Sequence, residues 1–133
     1  METQDTILRL IQQTALILRA FFNQVPPHDK NEQVVQDFPS NFKKQTSVDL
    51  DVLLTLSTPQ QVNNFFTLHP SFDVSNQEEL ADLLVNLAEQ TTVIHTSIAY
   101  KKTALLLYIT INQITQTHDW TRQNKINQLK VKD

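Results

Sequence analysis

The chain contains no glycine among its 133 residues. Glycine supplies the positive φ angles of tight hairpin turns and the bare backbone that can approach a phosphate group. Its absence excludes the glycine-rich phosphate loops and the dinucleotide-binding fingerprint, and it disfavours sheets built from two-residue hairpins. The sequence therefore predicts a protein built from helices.

Composition narrows the classes of function that remain. The formal net charge is -3 at pH 7, so nucleic acid is not the expected partner. The chain has no cysteine, which excludes disulfides and thiolate metal sites and favours a reducing compartment. The apolar stretch 7–22 is interrupted by Arg9 and Arg19, so it predicts neither a signal peptide nor a membrane span. We expect a cytoplasmic protein with no membrane contact.

The first helix is predicted over residues 4–23, where apolar residues recur at intervals of three and four. Its apolar arc is wider than a helix at the edge of a small domain needs. Leu10, Ile17 and Phe21 lie on this arc and are the candidate self-association face. A homodimer through this helix is expected, since two-fold association is the commonest oligomeric arrangement. The alternative is that short helices within 47–69 wrap the arc completely.

A loosely structured linker is predicted at about 24–47, inside a single domain that spans 1–133. Two adjacent prolines end the first helix. Asp29 and Glu32 have the spacing of a capping box, so the alternative is a short helix that Pro39 stops.

Capping residues predict four later helix starts. These are Ser47, Thr58 with Pro59 and Gln61, Ser75 with Glu78, and Asp119. Between the predicted helix starts at Ser75 and Asp119, either Ser97 caps a new helix or the helix that begins at Ser75 continues. The run 104–111 is apolar on nearly every side, so we predict a buried central helix with Leu105 in the core.

No pattern predicts a catalytic, cofactor or metal site. The four histidines are scattered and form no metal-binding pair: His28, His69, His95 and His118. Helix-dipole complementarity explains the carboxylates Glu78, Glu79 and Asp82 better than a metal site does. No spacing singles out two carboxylates as an acid and base pair.

A small cluster of cations lies near the C-terminus: Arg122, Lys125, Lys130 and Lys132. Together with Trp120, these side chains form a candidate basic patch for nucleic acid. The simpler interpretation is that the cations complement a helix C-terminus, with Trp120 as a packing anchor.

Three segments resemble an uncharacterised family of small all-α bacterial proteins: DTILRLIQQ at 5–13, LADLLVNLAEQ at 80–90 and AYKKTALLLYITIN at 99–112. The residues in the family's aromatic and apolar pattern are Tyr100, Ala104, Leu105, Leu107 and Tyr108. The resemblance implies a tetratricopeptide-like C-terminal half and no particular activity. The chain departs from a true tetratricopeptide repeat because it lacks the glycine and shows no 34-residue self-repeat.

The sequence thus predicts an all-α hairpin array or bundle of five to seven helices, tetratricopeptide-like in its C-terminal half. Its expected function is a protein-interaction or scaffold module without catalysis, cofactor or metal. Two alternatives stay open. One is a small regulatory protein that binds nucleic acid through the C-terminal cations. The other is an enzyme with an unrecognised carboxylate site.

Overall fold

The structure is a computed structural model that describes residues 2–24, 32–117 and 119–131. Within these residues the chain forms seven helices and no strand. They are α1 (Glu2–Asn23), α2 (Glu32–Thr46), α3 (Leu50–Leu54), α4 (Pro59–Thr67), α5 (Val74–Gln90), α6 (Ile94–Thr115) and α7 (Trp120–Val131). The predicted all-α fold with five to seven helices is confirmed.

The α5–α6 hairpin is the centre of the fold. Its α5 face is a stripe of fully buried leucines, Leu80, Leu83, Leu84 and Leu87, whose i, i+3, i+4 spacing gives a helix one continuous apolar side. Helices α3 and α4 pack on α6, and α1 packs on α5.

Polar contacts fix the directions of the outer helices. The side-chain amide of Asn76 donates to the carbonyl of Ile11 at 3.0 Å, and Arg19 lies 4.0 Å from Glu79, so α1 runs parallel to α5. Helix α7 is parallel to α5 for the same reason. Glu78 of α5 pairs with Arg122 of α7, and the later residue Asp82 pairs with the later residue Lys125. Helices α1, α5 and α7 therefore run in one direction and α6 runs in the other.

A cluster of phenylalanine rings joins α1, α2 and α4 to the start of α5. Phe21 of α1 packs edge-on against Phe38 with ring centroids 5.1 Å apart, and Phe38 stacks on Phe42 at 5.0 Å. Phe72, just before α5, lies 6.0 Å from Phe42 and 5.5 Å from Phe66. Edge-to-face and offset ring pairs add stabilisation beyond the burial of their area.

The prediction that Pro39 stops a helix is wrong, because α2 continues through this residue to Thr46. Proline lacks an N–H, so the carbonyl of Val35 loses its usual helical donor. Phe38 and Phe42 are both fully buried in the ring cluster, and their burial outweighs the lost hydrogen bond. From Glu32 onward the expected linker at 24–47 is thus helical, whereas Asp29 lies outside the described residues.

Two of the predicted caps are confirmed. The Thr58 hydroxyl accepts from the Gln61 N–H at 3.2 Å, and the Gln61 side chain accepts from the Thr58 N–H at 3.3 Å. At the start of α7, the Asp119 carboxylate accepts from the Arg122 N–H at 3.1 Å. These pairs satisfy N–H groups that the first turn of a helix leaves without partners.

The other two predicted caps are wrong, since aspartates cap α3 and α5. Asp49 accepts from the Asp51 N–H at 3.0 Å, and Asp73 accepts from the Asn76 N–H at 2.9 Å. Ser47 instead adopts a positive φ of 64°, which ends α2 without glycine. Ser75 lies inside the first turn of α5.

Neither alternative for the start of α6 is correct. Helix α5 ends at Gln90, and α6 begins at Ile94 with no side-chain cap, three residues before Ser97. The run 104–111 does form a helix at the centre of the fold, but Leu105 is only half-buried.

We expect Asn76→Ala to lower the free energy of unfolding by about 1–3 kcal/mol. The buried Asn76 amide donates to the carbonyls of both Ile11 and Ser71, and alanine leaves these acceptors without that donor. Urea denaturation measures the change. The control is Asn64→Ala, an exposed position on α4 that should lose no stability; equal losses in the two variants contradict the assignment.

Candidate functional site

A buried arginine attaches α7 to the α5–α6 hairpin. The side chain of Arg122 is only 8 % exposed. One terminal nitrogen lies 2.9 Å from the Glu78 carboxylate and the other donates to Asn112 at 2.8 Å. Its Nε has no hydrogen-bond partner among the described residues. A buried charge is tolerated only when it is paired, so this contact fixes where the first turn of α7 lies.

Lys125 extends the ion cluster by one turn. Its Nζ lies 3.0 Å and 3.3 Å from the two carboxylate oxygens of Asp82 and 3.5 Å from Glu78. The Tyr108 hydroxyl also donates to Asp82, and Lys125 lies 5.5 Å from the centre of the Tyr108 ring. Two carboxylates of α5 therefore meet two cations of α7 across the edge of α6.

Burial and hydrogen bonds in this ion cluster shift the pKa values of Tyr108 and Asp119. Burial raises the pKa of the Tyr108 phenol well above its ordinary value, and the hydrogen bond to Asp82 raises it further, so the hydroxyl stays a donor. The backbone N–H of Arg122 lowers the pKa of the Asp119 carboxyl, which keeps the cap of α7 ionised.

This arrangement changes the interpretation of the C-terminal cations. Arg122 and Lys125 are held by carboxylates, Lys130 is exposed, and Lys132 lies outside the described residues. Trp120, the predicted packing anchor, is 73 % exposed, so it is not a buried anchor. The sequence contains one local hint to the role of Arg122, because this cation lies three residues after the capping aspartate Asp119. Its partners on α5 and α6 are distant in sequence, so no local pattern predicts them.

The acidic residues of α5 have charged partners more specific than the helix dipole. Glu78 and Asp82 pair with α7, and Glu79 lies 4.0 Å from Arg19 of α1. Among the described residues, no group of three or more histidine, aspartate and glutamate side chains is arranged to hold a metal ion.

The two described histidines have different surroundings. His69 packs against Phe65 with ring centroids 5.1 Å apart, and burial lowers its pKa. His95 is exposed at the start of α6. His28 and His118 lie outside the described residues.

A groove lies over the outer face of α5, between α1 and α7. Two adjoining cavities of about 320 Å³ and 220 Å³ share Phe22 and Asp82 as lining residues. Lys101, Lys125 and Arg19 line the groove together with the carboxylates of α5. Positive and negative groups are therefore balanced along this groove.

The structure buries one residue of the predicted self-association face and leaves the other two at least partly exposed. Phe21 turns into the ring cluster and is buried, so it is not available to a partner. Leu10 is 43 % exposed and Ile17 is half-buried. Leu8 and Leu16 are 58 % and 62 % exposed, so α1 presents apolar side chains to solvent along much of its length.

The exposed part of this face forms a strip with coiled-coil spacing. Its residues follow one another at intervals of three and four: Leu10, Gln13, Ile17, Ala20 and Gln24. We call this set the α1 strip. All five side chains are uncharged, and all but the half-buried Ile17 are exposed. The strip lies on the α2 side of α1, beside Phe21, whereas Phe22 faces the groove over α5.

Comparison of the chain with protein-family models, with curated proteins and with solved structures found no match. The resemblance to a family of small bacterial proteins with a tetratricopeptide-like half therefore stays a prediction.

None of the helices in the described ranges combines the length and hydropathy that crossing a bilayer requires.

We expect Arg122→Ala to lower the free energy of unfolding by about 2–4 kcal/mol, because Glu78 and Asn112 then lose a buried donor. Thermal and urea denaturation measure the loss. Lys130→Ala removes the same charge from an exposed position on α7 and should change stability by less than about 0.5 kcal/mol. A small effect of Arg122→Ala would show that the guanidinium does not hold α7.

The two tyrosines of α6 should respond differently to loss of the hydroxyl. Tyr108→Phe removes a hydrogen bond to the charged Asp82 and should cost about 1–2 kcal/mol. Tyr100→Phe should change stability by less than about 0.5 kcal/mol, because its hydroxyl bonds no described residue. Urea denaturation of both variants checks the difference, and equal costs would argue against it.

Proposed function

We propose that this protein is a cytoplasmic protein-interaction module that forms a two-fold homodimer through the α1 strip. The observation that carries the proposal is the partial coverage of α1. This helix buries one apolar side against α5 and the ring cluster, while Leu10 of the α1 strip remains 43 % exposed and Ile17 is only half-buried. Exposed apolar residues grouped on one helix are typical of protein-interaction surfaces.

Self-association is favoured by the sequence of the α1 strip. In an antiparallel two-fold pair whose axis passes midway between Gln13 and Thr14, Leu10 of one copy meets Ile17 of the second copy, and the same contact repeats by symmetry. The residues of the strip carry no charge, so like charges do not meet at this seam. A heteromeric partner would usually be selected by charges along such a seam, and here they are lacking.

The absence of cysteine supports the proposed location, because chains in oxidising compartments commonly carry disulfides.

The dimer is tested by light scattering on the purified chain at micromolar concentration. The wild type should have twice the monomer mass, and Leu10→Glu or Ala20→Glu should yield a monomer, because each places a carboxylate in the seam. Both positions are exposed, so circular dichroism should show an unchanged helix content.

Two control variants locate the interface. Leu8→Glu changes a more exposed leucine on the opposite flank of α1, and Leu68→Glu changes one at the end of α4. Both should remain dimeric. A monomeric wild type, or dissociation caused equally by Leu8→Glu and Leu10→Glu, would overturn the proposal.

A further inference from the structure

A third cavity lies between α2, α3 and the first turns of α6, with a volume of about 470 Å³. Its apolar wall comes from all three helices: Val35 and Pro39, Leu54, and Val93 and Ala99. Its polar groups are Glu32, Gln36, Asp51, His95, Thr96 and Tyr100. None of the described residues that line it belongs to α1, so the cavity is separate from the proposed dimer seam.

Tyr100 is the most unusual group in this cavity. Its side chain lines the cavity although the residue is only 4 % exposed. Its hydroxyl forms no hydrogen bond with any described residue, whereas the hydroxyl of Tyr108 on the same helix is paired. Burial, and then the negative charge of Asp51, raise the pKa of Tyr100 to about 12, so the phenol is neutral. Unlike Nε of Arg122, the Tyr100 oxygen is not fully buried, so it can form a hydrogen bond with a molecule in the cavity.

Asp51 supplies the charge next to this phenol. The carboxylate lines the cavity and makes no ion pair with any described residue. By contrast, the carboxylates Glu78 and Asp82 of α5 are each held by a cation. Asp51 is thus a solvent-exposed carboxylate that lines a partly apolar cavity and has no cation beside it.

Two further hydrogen-bond acceptors, Glu32 and the carbonyl of Val35, lie at the same cavity. Glu32 already accepts from the Thr91 hydroxyl at 2.6 Å and from the Thr92 N–H at 2.8 Å, and its charge adds to the negative potential of the cavity. Pro39 leaves the Val35 carbonyl without its helical donor, and both residues line the cavity. The described lining residues include two carboxylates and neither lysine nor arginine.

We propose that this cavity binds an organic cation, namely an ammonium or guanidinium group on an aliphatic stem. The cationic head supplies several donors, for which Asp51, Tyr100 and the Val35 carbonyl are the acceptors. The stem packs on Leu54, Ala99 and Val93, as lysine and arginine stems pack on apolar surfaces. The head group can belong to a small free amine or to a lysine or arginine side chain of a peptide.

Nuclear magnetic resonance titration of the full chain tests the site, with the methyl signals of Leu54 and Ala99 as reporters. The probes are butylammonium and butylguanidinium, with butanol as the neutral control on the same stem. Saturable shifts at both methyl groups with the cations, and much weaker ones with butanol, are the expected result.

Three variants assign the binding to the proposed groups. Asp51→Asn should raise the dissociation constant roughly tenfold, because it removes the charge from a charge-assisted hydrogen bond. Tyr100→Phe should raise it about fivefold through loss of one hydrogen bond. Asp37→Asn neutralises an exposed carboxylate of α2 that does not line the cavity, and it should leave the constant unchanged.

A second arm separates the two sources of the cation. N-acetyl-lysine methylamide carries the same head group on a peptide backbone. Tighter binding of this probe than of butylammonium identifies a protein partner, and the reverse identifies a free amine; both support the site. Absence of saturable shifts with either cation, equal shifts with butanol, or equal affinity in wild type and Asp51→Asn would overturn the proposal.

Discussion

Burial of the leucine stripe of α5 against α6 is the contact on which the rest of the structure depends. Leu80, Leu84 and Leu87 have almost no exposed surface, and α5 is the helix against which α1 and α6 both pack. Because this stripe covers only the inner side of α5, the outer side keeps its carboxylates for ion pairs with Arg19, Arg122 and Lys125. Apolar burial thus holds the centre, and charges determine how α1 and α7 are aligned with it.

The distribution of charge separates the two concave regions of the molecule. In the groove over α5, carboxylates and cations lie side by side and largely neutralise one another. The cavity beside Tyr100 keeps the charge of Asp51 unpaired. The positions of Arg122 and Lys125 account for this contrast, since they contact α6 at Asn112 and Tyr108, whereas the cavity lies at the first turns of α6.

Local patterns in the sequence predicted the helices well, because the intervals of three and four and the Thr58 capping box depend only on neighbouring residues. The predictions failed where contacts between residues distant in sequence determine the structure. Pro39 lies inside a helix because Phe38 and Phe42 are buried against rings from α1 and from the start of α5. Arg122 is buried because Glu78 and Asn112 meet it, and neither pairing has a local signature. The unpaired hydroxyl of Tyr100 is likewise a property of the folded chain alone.

The parallel arrangement of α1, α5 and α7 has an electrostatic consequence for α6. Each helix carries partial positive charge at its N-terminus and partial negative charge at its C-terminus. The C-terminal ends of the three parallel helices lie at the end of the bundle where α6 begins, since Phe22, Glu89, Lys101 and Leu129 line one cavity. The first turn of α6 has no side-chain cap and no acidic residue. The positive pole of α6 and the negative poles of its three neighbours therefore lie at the same end of the bundle, where their partial charges attract one another.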